Sequence, residues 1–309
     1  MLEECKLILQ AAFEKRSSVI HALYKCRKLL NAIPVDRLQP KPKVSIIGEF
    51  WAMTTEGDGN YKLQQFLESE GAEVDIQIIT DWILYNLWEH QNDTRKRELL
   101  RQDDEGTVGL KGVNPQKKLA LLWLAERTLR EVFSLYARAT GLKNYHLPDM
   151  DEVASISHQY YDTALNGGEG HMEVGKLIQT VTHRKAHMVI SVKPFGCMPS
   201  SGVSDGIQSL ISARYPDALF TAIETTGDGA INVQSRIQMD LFKARQKAEA
   251  EYREAAEKTG MNSDEITVRG KRGKALYYPP YVVAGTGANQ ILESAGIKKW
   301  ETAPIAEVA

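Results

Sequence analysis

Met188-Val189-Ile190-Ser191-Val192, followed directly by Lys193-Pro194-Phe195-Gly196-Cys197-Met198-Pro199, carries the strongest structural signal in the chain. The first five residues are mostly apolar and rich in β-branched side chains, and proline and glycine follow them, as is typical of a buried strand. Cys197 then lies on a stiff loop at the carboxyl end of that strand. In open α/β sheets, ligands and catalytic groups collect at this edge. The sequence therefore predicts a functional loop with Cys197 as its candidate reactive group, and a small buried thiol is the alternative.

Strand and helix patterns alternate along the chain on both sides of this segment. Residues 44–49 and 73–79 have strand character, and the helical pattern of residues 60–69 separates them. A βαβ unit of this length implies a parallel pair of strands joined by a right-handed crossover. The alternation continues through helices at 116–139, 203–214 and 230–258 and a strand at 218–223. We therefore predict the α/β class, with a mainly parallel sheet and flanking helices.

The N-terminal region has the spacing of one long helix. Apolar residues recur at helical spacing from residue 2 to residue 33, and Pro34 follows the end. Cys5 and Cys26 both lie in this predicted helix, three turns or more apart, and are interpreted as structural thiols. The predicted organisation is an N-terminal helix and linker (1–40), an α/β domain (41–258) with a helical insertion at about 81–166, and a C-terminal extension (259–309) with a basic and then a tyrosine- and proline-rich segment.

Composition and charge narrow the class of protein. The chain has 309 residues, of which 43% are hydrophobic and 25% are charged, with a formal net charge of -2. These values are typical of a globular chain and provide no basic excess for a nucleic-acid partner. No apolar run approaches the ~20 residues that span a membrane, and the acidic N-terminus is unlike a signal peptide. Three cysteines without a CxxC pair argue against a disulfide framework and a self-contained zinc site, so we expect a cytoplasmic protein.

Two other segments place candidate functional groups near the same predicted edge. Glu49 ends the 44–49 strand and is expected to line one crevice with Cys197, because both residues follow parallel strands. Gly168-Glu169-Gly170-His171 forms a tight turn before a helix that runs to about residue 182. Glycine-bearing turns of this kind bind anions at helix N-termini, and Glu169 and His171 are also suited to acid–base chemistry. The alternative is an ordinary turn and helix cap.

Three motifs together resemble one protein family. They are Ile46-Ile47-Gly48-Glu49, Gly168-Glu169-Gly170-His171-Met172-Glu173-Val174-Gly175-Lys176 and Pro194-Phe195-Gly196-Cys197-Met198-Pro199. In this combination the chain is similar to the 2-hydroxyacyl-CoA dehydratase component D family, and most of all to its acyl-CoA dehydratase activase-related branch. The resemblance covers roughly residues 40–245, and the second and third motifs, about 25 residues apart, are its more specific part.

The resemblance implies a Rossmann- or flavodoxin-like domain of an iron–sulfur protein. Members of the family hold a 4Fe-4S cluster, or in one branch a double-cubane cluster, between two similar domains. An ATP-hydrolysing activase supplies single low-potential electrons, and dehydratase members use them to eliminate water from a 2-hydroxyacyl-CoA. By motif, Cys197 matches the cluster-ligating cysteine of the family. We accordingly predict Cys197 as a metal ligand, Gly168, Gly170, Gly196 and Cys197 as cofactor-binding residues, and Glu49, Glu169 and His171 as catalytic residues.

The number of cysteines departs from the family pattern. A four-iron cluster normally takes four ligands, and Cys197 is the only cysteine within a family motif. Either a cysteine-bearing partner chain supplies the other ligands, or two copies of this chain share a cluster, or the cluster has been lost. The first two possibilities predict an oligomer that works with the activase. The last predicts a cluster-free structural or regulatory subunit of a larger reductase or dehydratase complex, and a thiol enzyme with His171 as the base is a further alternative.

Overall fold

The computed structural model describes residues 1–55, 57–99, 110, 112–142, 145–166, 168–197, 202–227, 229–261, 264–266, 276 and 281–299. Within these residues, the four strands belong to a single sheet, and all of them run parallel. They are β1 (Lys43–Gly48), β2 (Glu73–Ile76), β3 (Met188–Pro194) and β4 (Phe220–Thr225). The predicted α/β class, with a Rossmann- or flavodoxin-like arrangement, is confirmed.

The order of the strands creates a switch point inside the sheet. The order is β2-β1-β3-β4, so the chain passes from β1 to one neighbour and later returns to β3 on the other side of β1. The register pairs Ile46 with Ile190 and Gly48 with Val192. Open α/β sheets bind ligands at the carboxyl ends of the strands where the order reverses in this way. In this fold that position lies just past β1 and β3.

Helices follow the strands and also form the N-terminal region. They are α1 (Leu2–Glu14), α2 (Val19–Leu30), α3 (Phe50–Thr54), α4 (Leu63–Ser69), α5 (Ile79–Leu99), α6 (Pro115–Thr140), α7 (Met150–Ser157), α8 (Gly170–Thr182), α9 (Gln208–Arg214), α10 (Ala230–Thr259) and α11 (Thr286–Ser294). A π-helical turn, Gly202–Ile207, leads directly into α9. Such turns are rare and often lie near functional sites.

Apolar side chains pack against both faces of the sheet, because successive residues of a strand point to opposite faces. Every residue of β3 except Pro194 is buried. One face packs with α4 and α10 through Val44, Ile46, Ile190, Val192, Leu63, Leu67, Ile237 and Leu241. The other face packs with α8 and α9 through Ile47, Val189, Val174, Leu177, Ile178 and Ile211. Burial of both faces explains why β3 has an almost continuous apolar sequence.

The N-terminal region forms two helices, so the prediction of one long helix over residues 2–33 is wrong. Between α1 and α2, Arg16 adopts a left-handed conformation with a φ of 49°. The Ser18 side chain then accepts a hydrogen bond from the His21 N–H group at 3.3 Å and caps α2. The apolar spacing continues across this break, and for that reason the periodicity does not reveal it. The reversal brings Cys5 and Cys26 into contact instead of leaving them turns apart.

The described residues form two compact units. The first contains residues 1–40, 127–146 and 250–299, and the second contains residues 41–126 and 147–249, including the whole sheet. The core of the first unit consists of Ala255, Ile266, Val283, Ala288, Ile291 and Leu292. The predicted boundaries near residues 40 and 258 stay predictions, and residues 267–275 and 277–280 of the basic and tyrosine-rich tail lie outside the described residues. No described helix combines the length and the apolar character that crossing a bilayer requires.

Candidate functional site

The candidate site lies at the carboxyl ends of β1 and β3, within the second unit. The two strands approach so closely here that a Cβ atom on Gly48, whose φ is +118°, would overlap the carbonyl oxygen of Val192. The Glu49 N–H group donates a hydrogen bond to the same oxygen at 2.9 Å. The requirement for glycine at position 48 therefore comes from strand packing, and the close approach fixes the start of the loop after β1 against β3.

Cys197 lies on a turn that directly follows β3. Its N–H group donates a hydrogen bond to the carbonyl oxygen of Pro194 at 3.2 Å, and Gly196 has the left-handed φ of 69° that this turn requires. The Gly196 N–H group donates to the Glu224 carboxylate at 3.3 Å. The thiol is a free cysteine and is partly exposed. The turn thus presents Cys197 at the sheet edge, as predicted, while Met198 and Pro199 lie outside the described residues.

A buried lysine, Lys193, shares a carboxylate partner with the same turn. Lys193 is 3% exposed, and its Nζ atom lies 4.0 Å from Oε1 of Glu224. One carboxylate oxygen of Glu224 therefore meets both the Lys193 ammonium group and the Gly196 N–H group. This arrangement connects the Cys197 turn to β4. Sequence reasoning did not identify Lys193, although a lysine at the end of a buried apolar strand is itself a signal, because buried lysines need a partner.

Glu49 and Glu169 meet at the first turn of α3. The Glu49 carboxylate accepts a hydrogen bond from the Ala52 N–H group at 2.9 Å, and the Glu169 carboxylate accepts one from Phe50 at 3.3 Å. Burial raises the pKa of Glu169 to about 7, and the charges of Glu49 and Glu173 contribute in the same direction. A carboxyl group with this pKa gains and loses a proton near neutral pH, which suits acid–base chemistry.

The two predicted glycines shape the turn that carries Glu169. Gly168 and Gly170 have left-handed φ values of 62° and 35°. A Cβ atom on Gly170 would lie 3.1 Å from the hydroxyl oxygen of Tyr85, so the backbone passes close to α5. The glycines thereby allow the chain to bring Glu169 to α3. Their contact with a cofactor stays a prediction, and Gly167 lies outside the described residues.

His171 packs among aromatic rings. It is fully buried, with ring centroids 5.0 Å from Tyr85 and 4.6 Å from Trp88. Burial lowers the pKa of His171 to about 4, and Lys96 adds to the effect, so the imidazole is neutral at pH 7. Its ring nitrogens have no hydrogen-bond partner among the described residues, and no described contact joins it to Cys197. The structure therefore brings Glu49 and Glu169 together but does not join His171 to them.

A buried carboxylate that sequence reasoning did not identify lies one helical turn after Glu169. Glu173 on α8 accepts hydrogen bonds from the Ser191 hydroxyl group of β3 and from the Gln208 amide of α9, the latter at 2.7 Å. All three side chains are buried. The spacing of four residues from Glu169 is the signal that places both carboxylates on one face of α8. The network connects α8 and α9 to the strand that ends at the Cys197 turn.

A tyrosine holds the loop that follows β4. The Tyr61 hydroxyl oxygen accepts a hydrogen bond from the Thr226 N–H group at 2.8 Å. Burial alone opposes ionisation, but hydrogen bonds from Thr226, Gly227 and Gly229 together lower the pKa of Tyr61. Tyr61 and the next residue, Lys62, both have left-handed φ values, 59° and 52°. Two such residues in succession are uncommon and mark a locally constrained backbone.

Large apolar side chains are exposed just past three neighbouring strands. Trp51 follows β1, Phe195 follows β3 and Ile231 follows β4, and they are 67%, 73% and 79% exposed. Phe195 is only two residues from Cys197. We call these three residues the apolar rim. Each of them follows the carboxyl end of a strand, and exposed apolar side chains at this edge form a candidate interaction surface.

The described residues do not complete the ligand set of a four-iron cluster. No three His, Cys, Asp or Glu side chains among them are arranged to hold a metal ion. Cys5 and Cys26 are buried against each other in the first unit. The chain therefore offers one accessible thiol, which fits a single corner of a cluster that takes four ligands.

Comparison with known proteins identifies no relative of this chain. Comparisons of the chain with protein-family models, with curated proteins and with solved structures find no match. The site itself offers an accessible thiol, a buried carboxyl group, Glu169, with a pKa of about 7, and a buried lysine beside the thiol loop. A thiol of this kind is suited to binding a soft metal, and the carboxyl group is suited to proton transfer.

Proposed function

We propose that this chain is a subunit of an iron–sulfur protein of the 2-hydroxyacyl-CoA dehydratase type, which takes part in ATP-driven low-potential electron transfer with an activase partner. The observation that carries the proposal is the position of Cys197. Its thiol is accessible on a glycine-dependent turn beside the switch point, within the motif that resembles the cluster-ligating segment of the family. Cysteine thiolates are the usual ligands of such clusters. Cys197 would supply one ligand of a 4Fe-4S or double-cubane cluster.

A cysteine-bearing partner chain would supply the remaining ligands, or a second copy of this chain would share the cluster and add its own Cys197. The apolar rim supports this part of the proposal, because a chain that covers the site would bury Trp51, Phe195 and Ile231. The same chain would bring its own thiols close to Cys197. An oligomer follows from this arrangement, since Cys197 alone cannot hold a cluster.

The residues of this chain would transfer protons, whereas the cluster, when bound, would supply single electrons. Elimination of water from a 2-hydroxyacyl-CoA requires a proton for the departing hydroxyl group. Glu169 is buried beside Glu49 and has a pKa of about 7, so it holds and releases a proton near neutral pH. We assign Glu169 the proton-transfer role and Glu49 the role of a neighbouring charge that helps to set the pKa of Glu169.

A cytoplasmic location is part of the proposal. All three cysteines are free thiols, which is the normal state of cysteine in a reducing compartment. A low-potential cluster with an accessible ligand also requires such surroundings.

Iron and sulfide analysis of the anaerobically purified protein tests the proposal. The tagged chain is purified from its native cells, so that a partner is retained, and separately as the isolated chain after incubation with ferrous iron and sulfide. Two copies that share one cluster should bind about two iron atoms per chain, with brown absorbance. Cys197→Ser should lose both signals, whereas Cys5→Ser should keep them as a matched control. Iron that is absent from both preparations, or that survives Cys197→Ser, would contradict the proposal.

A second candidate is a cluster-free structural or regulatory subunit of a larger complex. Contact between Cys5 and Cys26, which leaves a single accessible thiol, favours it. This candidate predicts that the chain purifies with large partners that contain iron, while Cys197→Ser changes neither the assembly nor its iron content. The same two preparations therefore distinguish the candidates.

A further inference from the structure

The break between α1 and α2 creates a second thiol site, far along the sequence from Cys197. The Sγ atom of Cys5 lies 4.0 Å from the carbonyl oxygen of Cys26, and the Sγ atom of Cys26 lies 3.7 Å from the carbonyl oxygen of Cys5. Each sulfur thus faces the backbone of the other residue. The contact is reciprocal and lies wholly within the first unit. Neither thiol has a role in the proposed function.

The Cys5 thiol also affects the ionisation of the Cys26 thiol. Burial raises the pKa of the Cys26 thiol, and its interaction with the Cys5 thiol raises it further. The geometry carries the argument by itself, because each sulfur lies within 4.0 Å of the backbone of the other cysteine. Paired sulfurs of this kind need only side-chain rotation to reach bonding distance, provided that the backbones already lie close together.

We infer that Cys5 and Cys26 form a dithiol site that a low-molecular-weight disulfide oxidises to an intramolecular disulfide joining α1 to α2. One cysteine thiolate attacks the small disulfide, forms a mixed disulfide and releases one small thiol. The second cysteine then attacks the mixed disulfide and releases the other small thiol. In total, two S–H bonds break, one S–S bond forms in the protein, and the small disulfide accepts two electrons and two protons.

The weak attachment of α1 gives the oxidant access to the buried pair. Cys5 and Ala12 are the buried residues of α1, whereas Leu2, Leu7 and Phe13 are exposed. A helix that buries so little apolar surface opens locally at low cost, and opening exposes both thiols. A disulfide formed after closure would remove this motion, because it crosslinks the first turn of α1 to α2. The site would therefore hold α1 more firmly under oxidising conditions.

Oxidised glutathione provides a direct test with the full chain. The protein in the Cys197→Ser background is incubated with oxidised or reduced glutathione, alkylated, and analysed by intact mass and peptide mapping. We expect a product that takes up no alkyl group and is about 2 Da lighter than the unalkylated reduced chain, one crosslinked peptide pair containing Cys5 and Cys26, and full reversal by dithiothreitol. Hydrogen exchange of the α1 amides should slow at least about tenfold in the oxidised product. This background lacks the proposed cluster ligand, so the outcome is independent of the proposed function.

Two variants and a denatured control define the result that would overturn the inference. Cys5→Ala and Cys26→Ala should each abolish the crosslink, and unfolded wild-type protein shows that the oxidant is competent. A native chain that gives only mixed disulfides, or no modification during complete oxidation of the unfolded control, overturns the inference. Unchanged exchange of the α1 amides in the crosslinked product would overturn the restraint of α1. Peptide mapping detects the crosslink without Cys5→Ala or Cys26→Ala and can be repeated on the wild-type chain, so a variant that fails to fold does not weaken the test.

Discussion

Glu169 shows how a residue takes its chemistry from its position in the fold. Its carboxylate accepts a hydrogen bond from the Phe50 N–H group. Burial raises its pKa, and the neighbouring carboxylates of Glu49 and Glu173 raise it further. Its pKa rises from 4.5 to about 7. Below the lower value, the folded and unfolded states both hold the proton. Between the two values the unfolded chain ionises first, so the folded state loses stability as the pH rises.

Glu169→Gln should therefore become more stable relative to the wild type as the pH increases. Glutamine keeps an oxygen that can accept the hydrogen bond from the Phe50 N–H group, but it does not ionise. We expect the difference in the free energy of unfolding to grow by about 2–3 kcal/mol between about pH 4 and about pH 8, with most of the change below pH 7. Urea unfolding at a series of pH values measures it. The exposed Glu254→Gln is the control, and a difference that is equally flat for both variants would contradict the predicted ionisation.

Gly48 gives a steric prediction at the same scale. Alanine at this position would place a Cβ atom against the Val192 carbonyl oxygen, at a backbone φ of +118° that side chains rarely adopt. We expect Gly48→Ala to lower the free energy of unfolding by about 3 kcal/mol or more. Gly59→Ala is a matched control, because nothing lies within 4 Å of its Cβ position. Equal stabilities of the two variants in urea would show that the strands do not approach as closely as described.

At the scale of elements, the Cys197 turn depends on β4. The Glu224 carboxylate accepts a hydrogen bond from the Gly196 N–H group, and its Oε1 atom lies 4.0 Å from Nζ of Lys193. Glu224→Ala removes both interactions and should destabilise the protein by about 1–2 kcal/mol, a value reduced because Glu224 is partly exposed. Hydrogen exchange of the Gly196 amide should accelerate at the same time. Glu3→Ala, which breaks the exposed pair with Lys6, should cost under about 0.5 kcal/mol. Unchanged exchange at Gly196 would show that the turn is held by other contacts.

The elements also show what sequence patterns can and cannot predict. The β-branched run of β3 and the βαβ pattern around β1 are local, and they suffice for the parallel sheet and for the placement of Glu49 and Cys197 at one edge. The end of α1 is different. The left-handed residue that breaks the helix is Arg16, and no glycine or proline marks the break in the sequence. The meeting of Glu169 with α3 joins residues more than a hundred positions apart, and only the tertiary fold determines such a contact.

At the scale of the whole molecule, two thiol regions with different surroundings lie in different units. Cys197 is partly exposed at the edge of the sheet in the second unit, whereas Cys5 and Cys26 are buried in the first. Accessible thiols bind soft metals or react, and buried thiols respond only when the structure opens. The contrast explains why, among the cysteines of this chain, the proposed iron binding should depend on Cys197 and not on Cys5 or Cys26, while slow oxidation should join Cys5 to Cys26.

The apolar rim gives the prediction that concerns assembly. Phe195→Ser and Trp51→Ser change side chains that are mostly exposed, so neither variant should lose more than about 0.5 kcal/mol of folding stability. Combined with Ile231→Ser, they should weaken association with the partner chain or second copy at least about tenfold, because apolar anchors at the centre of an interface commonly contribute more than about 1 kcal/mol each. Sedimentation and anaerobic co-purification measure the association. Met239→Ser with Phe242→Ser, which changes exposed side chains of α10, is the matched control. Association that falls equally in the control, or persists in the rim variant, would place the partner on another surface and leave Cys197 uncovered.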